Sequence, residues 1–328
     1  MRTDRILPPG FGVRTLRADA LAGLSATPKW LPPKWFYDAQ GSALFEKITE
    51  LPEYYPARAE RAILRDVAPT IAGLTGASVL AELGSGSSEK TRLLLSALRS
   101  LGTLRSYTAV DVSESAVSAA GRALERDYPG LEVRAVVADF EETLGLSSDS
   151  GGLDDDGAGR RLVAFLGSTI GNMTPAQRAA FLSRVRARLR PGDAFLLGTD
   201  LVKDPAVLVA AYDDSAGVTS AFNKNVLVVL NARLGADFDP NAFEHVAAWM
   251  PETEWVEMRL RSVTAQRVRV PAIGLTAQFA AGEEIRTEIS AKFSREGVER
   301  ELAAAGLGMR AWWTDHAGQY GLSLSVPG

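Results

Sequence analysis

One short segment constrains the fold of this chain more than any other: an apolar run that leads straight into a glycine turn and a helix. Residues 78–83 are mostly apolar, and Gly84 and Gly86 follow them directly. An apolar run of that length, bounded by glycine, is typical of a buried strand. Leucine and alanine recur at helical spacing across residues 93–101, which predicts a helix after the turn. A strand, a turn and a helix in this order predict the first unit of a parallel α/β sheet.

The alternation of strand and helix continues along the chain. The next predicted strands are 107–112, 132–138, 162–166 and 194–198, and the predicted helices between them are 115–127 and 175–189. This is the pattern of a doubly wound sheet with helices on both faces. Near the C-terminus, a predicted helix at 296–305 precedes strands at 309–314 and 321–326. Those two strands are close enough in sequence to pair as an antiparallel hairpin.

Two regions interrupt this alternation. Residues 1–57 are rich in proline and aromatic residues, so we expect an irregular segment there. Residues 203–250 have a helical pattern, with a new helix expected near Asn241, and residues 254–292 alternate as strands do. We therefore predict an α/β domain formed by 58–202 and 293–328. A second α+β lobe would combine 1–57 with the insertion 203–292.

The composition excludes several classes of protein. The chain has 328 residues with two histidines and no cysteine, which excludes disulfide frameworks and thiolate metal sites, and we expect no metal centre. The 36 basic and 40 acidic residues give a net charge of −4, which argues against a nucleic-acid partner. No apolar run approaches the roughly 20 residues of a membrane span, and no leader pattern is evident. We expect a cytoplasmic monomer that acts on a small molecule.

Acidic residues at the ends of successive predicted strands indicate a nucleoside site. Asp111 ends the second strand, where a carboxylate accepts hydrogen bonds from ribose hydroxyls. Asp139 and Phe140 end the third strand and suit an adenine amine and its ring face. The third glycine of the dinucleotide fingerprint is replaced by Glu89, which disfavours a pyrophosphate. A ribose and an adenine without pyrophosphate point to S-adenosylmethionine, whose sulfonium suits acidic surroundings.

Five longer motifs stand out in the chain: residues 31–38 (LPPKWFYD), 51–56 (LPEYYP), 82–91 (ELGSGSSEKT), 165–172 (FLGSTIGN) and 198–204 (GTDLVKD). They closely resemble the L-histidine Nα-methyltransferases of ergothioneine biosynthesis, and the resemblance runs from about residue 20 to the C-terminus. The resemblance implies a class I S-adenosylmethionine-dependent methyltransferase: a Rossmann-like doubly wound sheet with a C-terminal antiparallel hairpin and an inserted α+β substrate-binding lobe. It also implies that L-histidine is trimethylated on Nα to hercynine.

The resemblance further implies which residues bind the two ligands. The cofactor residues would be Gly84, Lys90, Asp111, Asp139, Phe140 and Gly167. The histidine residues would be Tyr54, Asn172, Tyr212, Met258, Glu288 and Ser290, with Tyr37 as the candidate catalytic residue and route for the amine proton. Glu288 and Ser290 share one face of a predicted strand because strand side chains alternate, so both could meet one imidazole ring.

Three alternatives stay open from the residues alone. The substrate could be another aromatic amino acid or amine, although the carboxylate of Glu288 suits an imidazole N–H better than a phenyl ring. The chain could also be a nicotinamide-dependent oxidoreductase, against which the missing third glycine counts. A non-catalytic nucleotide-binding module is the third alternative, and the retained substrate residues argue against it.

Overall fold

The computed structural model describes residues 2–7, 10–86, 88–112, 114–139, 144–145 and 159–328, with the side chains of 114–116 left out. The chain divides into two compact units. The first unit comprises residues 1–8, 56–202 and 293–328, and the second comprises 9–55 and 203–292. The two units have separate hydrophobic cores.

The regular elements are numbered in chain order. The strands are β1 (Arg2–Arg5), β2 (Lys29–Trp30), β3 (Val79–Leu83), β4 (Ser106–Asp111), β5 (Glu132–Val137), β6 (Arg161–Phe165), β7 (Ala194–Asp200), β8 (Phe243–Met250), β9 (Trp255–Ser262), β10 (Gln266–Val270), β11 (Leu275–Phe279), β12 (Glu284–Ala291), β13 (Leu307–Thr314) and β14 (Tyr320–Pro327). The helices are α1 (Phe11–Ser25), α2 (Ala39–Glu50), α3 (Tyr55–Thr75), α4 (Thr91–Leu101), α5 (Glu114–Asp127), α6 (Pro175–Arg188), α7 (Pro205–Ala210), α8 (Val218–Leu234) and α9 (Arg295–Ala304).

The first unit is built on one large sheet. Its strand order among the described residues is β1-β5-β4-β3-β6-β7-β14-β13. Each pair of neighbouring strands between the β1 edge of the sheet and β7 is parallel. Strand β14 is antiparallel to both β7 and β13. The predicted doubly wound sheet with a C-terminal antiparallel hairpin is confirmed. The buried patterns of β3, β6 and β7 fit a sheet covered on both faces.

The strand order determines where a ligand would bind. From β3 the chain passes outward through β4 and β5, and then returns to the other side of β3 as β6 and β7. In open sheets, ligands bind at the carboxyl ends of the strands where the order reverses. The ends of β3 and β6 are therefore the expected location of the site.

One prediction about the N-terminus is wrong. We expected residues 1–57 to join the second lobe, but β1 pairs in parallel with β5 at the edge of the large sheet. An ion pair between Asp4 and Arg134 supports this pairing. The four-residue strand RTDR has no apolar alternation, so its sequence gives no sign of a strand.

The rest of the N-terminal region is also more regular than we expected. It contains α1 and α2, because its prolines lie in the connections between elements. Leu16, Ala20 and Leu24 of α1 are buried at helical spacing. Asp38 caps α2 by accepting a hydrogen bond from the Gly41 N–H at 2.8 Å.

The second unit contains a four-stranded sheet of order β2-β12-β9-β8 and, within the described residues, a separate β10–β11 hairpin. The helix expected near Asn241 is wrong, because Pro240–Ala242 forms a single 3-10 turn and β8 follows it. All eight residues of β8 pair with β9. These tertiary hydrogen bonds prevail over the helix-forming alanine, glutamate and methionine of β8. None of the described helices is both long and apolar enough to cross a membrane.

Candidate functional site

The glycine turn of the first unit is fixed against the neighbouring strand β4. Gly84 and Gly86 have φ angles of +66° and +49°, which residues with a side chain rarely adopt. The N–H of Gly84 donates to the carbonyl of Val110 at 2.8 Å. The N–H of Gly86 donates to Asp111 Oδ2 at 3.1 Å. The carboxylate of Asp111 therefore lies directly beside the turn.

The second acidic position lies at the same edge of the sheet. Asp111 is the last residue of β4 and pairs with Val137, the last residue of β5. Asp139 follows two residues later and is buried. Three of the predicted cofactor residues, Gly84, Asp111 and Asp139, thus lie at the carboxyl ends of adjacent strands. Phe140 lies outside the described residues.

The remaining two predicted cofactor residues converge on one carboxylate. Lys90, just before α4, forms an ion pair with Glu60 of α3. Gly167 follows β6 with a φ of +74°, and its N–H donates to Glu60 Oε1 at 2.8 Å. The sequence analysis did not identify Glu60, because it lies in a helix among other charged residues and belongs to no motif.

A second carboxylate is buried beneath the glycine turn. Glu82 of β3 accepts hydrogen bonds from the hydroxyls of Thr91 and Tyr107. Burial raises the pKa of Glu82 to about 7, although both hydroxyls and the charge of Lys90 oppose that rise. Tyr107 also shares a hydrogen bond of 2.9 Å with Ser88. This network joins β3, β4 and the start of α4 behind the turn.

In the second unit, two predicted substrate residues share a cluster with a lysine. The hydroxyls of Tyr212 and Ser290 are 2.7 Å apart. The Nζ of Lys292 donates to Tyr212 Oη at 2.9 Å and to Ser290 Oγ at 2.8 Å. Lys292 is 3% exposed and was missed from the sequence. Its position two residues after Ser290 was the available signal, because side chains two apart share a face of a strand.

Glu288 lies on the same strand as Ser290, opposite Met258 in the register of β12 with β9. Its exposed fraction is intermediate, yet enough protein surrounds its carboxylate that desolvation raises the pKa to about 7, opposed by the charge of Lys292. Within the described part of the chain, the carboxylate has no hydrogen bond or ion pair. Such a group is poised to accept a proton or an N–H from a ligand. Met258 itself is buried in the core of the unit.

The predicted aromatic residues form a continuous series of ring contacts. Tyr37 contacts Phe45 with ring centroids 5.6 Å apart, and Phe45 contacts Tyr54 at 6.2 Å. Tyr54 in turn contacts Tyr212 at 6.4 Å. All three contacts are edge-on, which is a favoured geometry for aromatic pairs. The structure therefore brings Tyr37 and Tyr54 into the same ring series as Tyr212 and its hydroxyl cluster.

The residues on both sides of Tyr37 are held by one side-chain amide. Asn225 of α8 donates from Nδ2 to the carbonyl oxygen of Phe36 at 3.0 Å and to Asp38 Oδ1 at 2.9 Å. A Cβ on Gly41 would overlap that carbonyl oxygen. The position of Tyr37 thus depends on the close packing of α2 against α8.

Tyr212 is held by a neutral histidine. The Nε2 of His245 lies 2.7 Å from the carbonyl oxygen of Tyr212, and its Nδ1 lies 2.8 Å from Asn223 Nδ2. These partners assign the proton to Nε2, because a carbonyl accepts and an amide NH₂ donates. Burial lowers the pKa of His245, which favours this neutral form.

Asn172 belongs to the first unit, unlike the other predicted histidine residues. It ends the 3-10 turn Thr169–Asn172, which follows β6 and Gly167. Ser168, before this turn, has a φ of +56°, an unusual conformation for a residue with a side chain. The role of Asn172 as a substrate residue stays a prediction.

Comparison with known proteins identifies the family. The sequence model of the histidine-specific, SAM-dependent methyltransferases matches residues 16–327. The chain belongs to this family. Histidine N-alpha-methyltransferase of Mycolicibacterium smegmatis is 58% identical over 95% of this chain and 94% of that protein. The protein of the same name from Mycobacterium tuberculosis is 55% identical over 96% of each. Ergothioneine biosynthesis protein 1 of Neurospora crassa is 28% identical over 90% of this chain and 33% of that protein.

Family membership excludes one of the three alternatives left open by the sequence. This methyltransferase uses S-adenosylmethionine, and a nicotinamide-dependent oxidoreductase is excluded. The residues of the glycine turn agree with that cofactor. A lysine and two aspartates lie at or near this turn, and their assignment as cofactor residues stays a prediction.

Proposed function

We propose that this methyltransferase transfers three methyl groups to the α-nitrogen of L-histidine, forming hercynine for ergothioneine biosynthesis. The names of the mycobacterial and fungal relatives support the proposal. The observation that carries it is Glu288, whose carboxylate has no hydrogen bond or ion pair among the described residues and which shares its strand with Ser290 of the hydroxyl cluster. A neutral imidazole has one N–H donor and one nitrogen acceptor. Glu288 and Ser290 offer the complementary pair of groups.

The cofactor residues have distinct proposed roles. Asp111 accepts from the ribose hydroxyls, and Asp139 accepts from the adenine amine, with Phe140 covering the base. Lys90 binds the methionine carboxylate, while Gly84 and Gly167 allow the backbone to approach closely. S-adenosylmethionine supplies an electrophilic methyl group on a sulfonium when it is bound. The protein's contribution to that chemistry is orientation, which supplies up to about 7–11 kcal/mol in favourable cases.

The substrate residues act on the two ends of histidine. Tyr212 and Asn172 donate to its carboxylate, and Glu288 and Ser290 bind its ring. Met258 and Tyr54 line the pocket. The buried Lys292 donates to both hydroxyls of the cluster, so Tyr212 and Ser290 are acceptors toward Lys292. One of the two hydroxyls donates to the other in the structure, and both protons become available to the substrate only when that hydrogen bond is exchanged for bonds to the ligand.

The α-amine must be neutral before it attacks, because only a free lone pair can form the new N–C bond. The electron pair of the breaking C–S bond stays on sulfur, and the nitrogen loses a proton before each following transfer. Tyr37 is the proposed route for that proton. The rings of Tyr37, Phe45 and Tyr54 are close to one another, and aromatic faces stabilise the quaternary ammonium that forms last.

Mass spectrometry of the purified protein with S-adenosylmethionine and each amino acid in turn tests the substrate. We expect mass gains of one, two and three methyl groups on histidine alone. Methylation of another aromatic amino acid or amine, with histidine unchanged, would overturn the proposal and support the alternative substrate.

Replacement of Glu288 by alanine tests the recognition of the ring. Loss of a hydrogen bond to a charged group costs about 1.5–3 kcal/mol, so we expect kcat/KM for histidine to fall at least about tenfold. Calorimetric affinity for S-adenosylhomocysteine should not change. Glu284→Ala is the matched control on the same strand, because Glu284 already pairs with Arg259 and Arg261. Equal loss of histidine and cofactor binding in E288A would contradict the assignment.

A further inference from the structure

One buried carboxylate joins four separate parts of the first unit. Glu60 of α3 is 0% exposed. Its oxygens accept from the N–H of Gly167 at 2.8 and 3.0 Å and from the hydroxyl of Tyr320 at 2.8 Å. Lys90 forms an ion pair with the same group. Glu60 thereby links α3 to the start of α4, to the loop after β6, and to β14.

The neighbouring strand leaves room for this arrangement. A Cβ on Gly198 of β7 would overlap both Glu60 Oε1 and the hydroxyl of Tyr320. Gly198 lies within a regular strand, so the need for glycine here is one of space. A buried carboxylate is costly unless its oxygens are paired. The fold meets that cost with donors from three elements, all aimed at one side chain.

The ion pair is buried at one end and open at the other. The side chain of Lys90 is 25% exposed, whereas that of Glu60 is 0% exposed. Among the described residues, Lys90 Nζ hydrogen-bonds to Glu60, and an ammonium has three N–H donors in all. Two donors therefore remain for a ligand at the open end.

The charge of the cofactor limits what this ammonium can bind. S-adenosylmethionine has two cationic groups, the sulfonium and the α-ammonium, and one anionic group, the carboxylate. A lysine at the glycine turn complements the carboxylate and repels the other two. An ammonium held in one place by Glu60 loses less side-chain entropy when it binds that carboxylate than a freely moving lysine would.

We propose that Glu60 is a positioning residue of the cofactor site, which holds the Lys90 ammonium and the Gly167 loop where they receive the carboxylate end of the cofactor. This inference rests on the proposed role of Lys90 and extends it to a residue buried behind the site. A glutamine at position 60 would keep the shape but remove the negative charge. Its amide NH₂ would also face groups that are themselves donors.

Two ligands that differ at the carboxylate test the inference. S-adenosylhomocysteine contains the amino-acid group, and 5′-methylthioadenosine lacks it while keeping the adenine, ribose and sulfur. For Glu60→Gln we expect calorimetric affinity for S-adenosylhomocysteine to fall about tenfold. Affinity for methylthioadenosine should stay within about twofold of the wild type. Lys90→Met should show the same selective loss, and the double variant should lose less affinity than the two single losses combined, because Glu60 acts in part through Lys90.

The outcomes separate this inference from the proposal on which it rests. If Lys90→Met binds both ligands as the wild type does, the cofactor role of Lys90 fails and the inference fails with it. If Lys90→Met is selective but Glu60→Gln is not, the inference alone is overturned. Equal weakening of both ligands in Glu60→Gln also overturns it, because a purely structural residue would act on both.

Tyr320→Phe keeps the test decisive if Glu60→Gln does not fold. This variant removes one donor to Glu60 and leaves Lys90 and Gly167 in contact with it. We expect a selective loss of about threefold for S-adenosylhomocysteine, smaller than that of Lys90→Met. Identical affinities for both ligands in Tyr320→Phe and the wild type would count against the inference.

Discussion

Burial sets the protonation of one carboxylate in each unit. Glu82 has two hydroxyl donors, and its raised pKa reflects desolvation in a covered sheet. Glu288 has a similarly raised pKa without any such donor. The two groups illustrate different uses of the same physical effect. The carboxylate of Glu82 accepts its hydrogen bonds within the fold, whereas we propose that Glu288 accepts its hydrogen bond from the substrate.

Tyr37→Phe removes one hydroxyl and keeps the ring contacts to Phe45 and Phe222. If Tyr37 carries the amine proton, kcat should fall about a hundredfold while KM for histidine changes little. Steady-state kinetics across pH checks this. The difference in kcat between the variant and the wild type should become smaller at high pH, where the amine loses its proton to solvent. An unchanged kcat at neutral pH would show that the proton leaves by another route.

At the scale of elements, both candidate sites depend on contacts between distant segments. The glycine turn after β3 is held by the end of β4, and the Tyr37 segment is held by α8. Each contact joins a loop to a regular element that is rigidly packed.

Glu82→Gln should flatten the pH dependence of stability. Between its ordinary pKa of 4.5 and its folded value of about 7, the folded protein holds a proton that the unfolded chain has released. Rising pH through this window therefore lowers the free energy of unfolding, by up to about 3 kcal/mol for this group. Urea unfolding at pH 5 and 7 measures the difference. An equal difference in the variant and the wild type would contradict the role of Glu82.

Gly41→Ala should destabilise the protein because its methyl group would overlap the carbonyl oxygen of Phe36. We expect Tm to fall by at least about 5 °C. Gly73→Ala on α3 is the matched control, since a Cβ there meets nothing within 4 Å and alanine favours a helix by about 1 kcal/mol. Similar Tm values for the two variants would show that the packing at Gly41 tolerates a side chain.

The large sheet could be predicted because its strands are short apolar runs beside glycine or acidic residues. The N-terminal helices could not, because the prolines around α1 and α2 resemble helix breakers when their places between elements are unknown. The strand β8 could not be predicted, because it forms through its pairing with β9 and its own residues favour a helix. The positions of Asp111 and Asp139 at strand ends could be predicted because strand ends are local features. Glu60 could not be predicted, since its partner Tyr320 is 260 residues away. Lys292 was missed although its place two residues after Ser290 was a local signal.

At the scale of the whole molecule, the proposed cofactor and the imidazole ring of the proposed substrate depend on different units. The proposed contacts to the cofactor come from residues of the first unit, and those to the imidazole ring come from the second. Variants in one set should therefore leave the energetics of the other ligand unchanged.

Thermal unfolding with each ligand tests this division. A ligand at a hundred times its Kd stabilises the folded protein by about 2.7 kcal/mol, so S-adenosylhomocysteine should raise Tm by about 5 °C or more. Histidine added next should raise it further in the wild type. In Glu288→Ala the first rise should persist and the second should fall to about half or less, because a tenfold weaker ligand is then at about ten times its Kd. Loss of both rises would mean that Glu288 supports the entire fold.

The second unit is assembled from two stretches of chain, 9–55 and 203–292, with about 150 residues between them. At roughly 5–20 residues per second on the ribosome, α2 is complete about ten to fifty seconds before β12 exists. During that interval Leu16, Phe36 and their neighbours have no core to enter. The nascent N-terminal segment is therefore a natural client for chaperones, and synthesis at reduced temperature should lengthen its exposure.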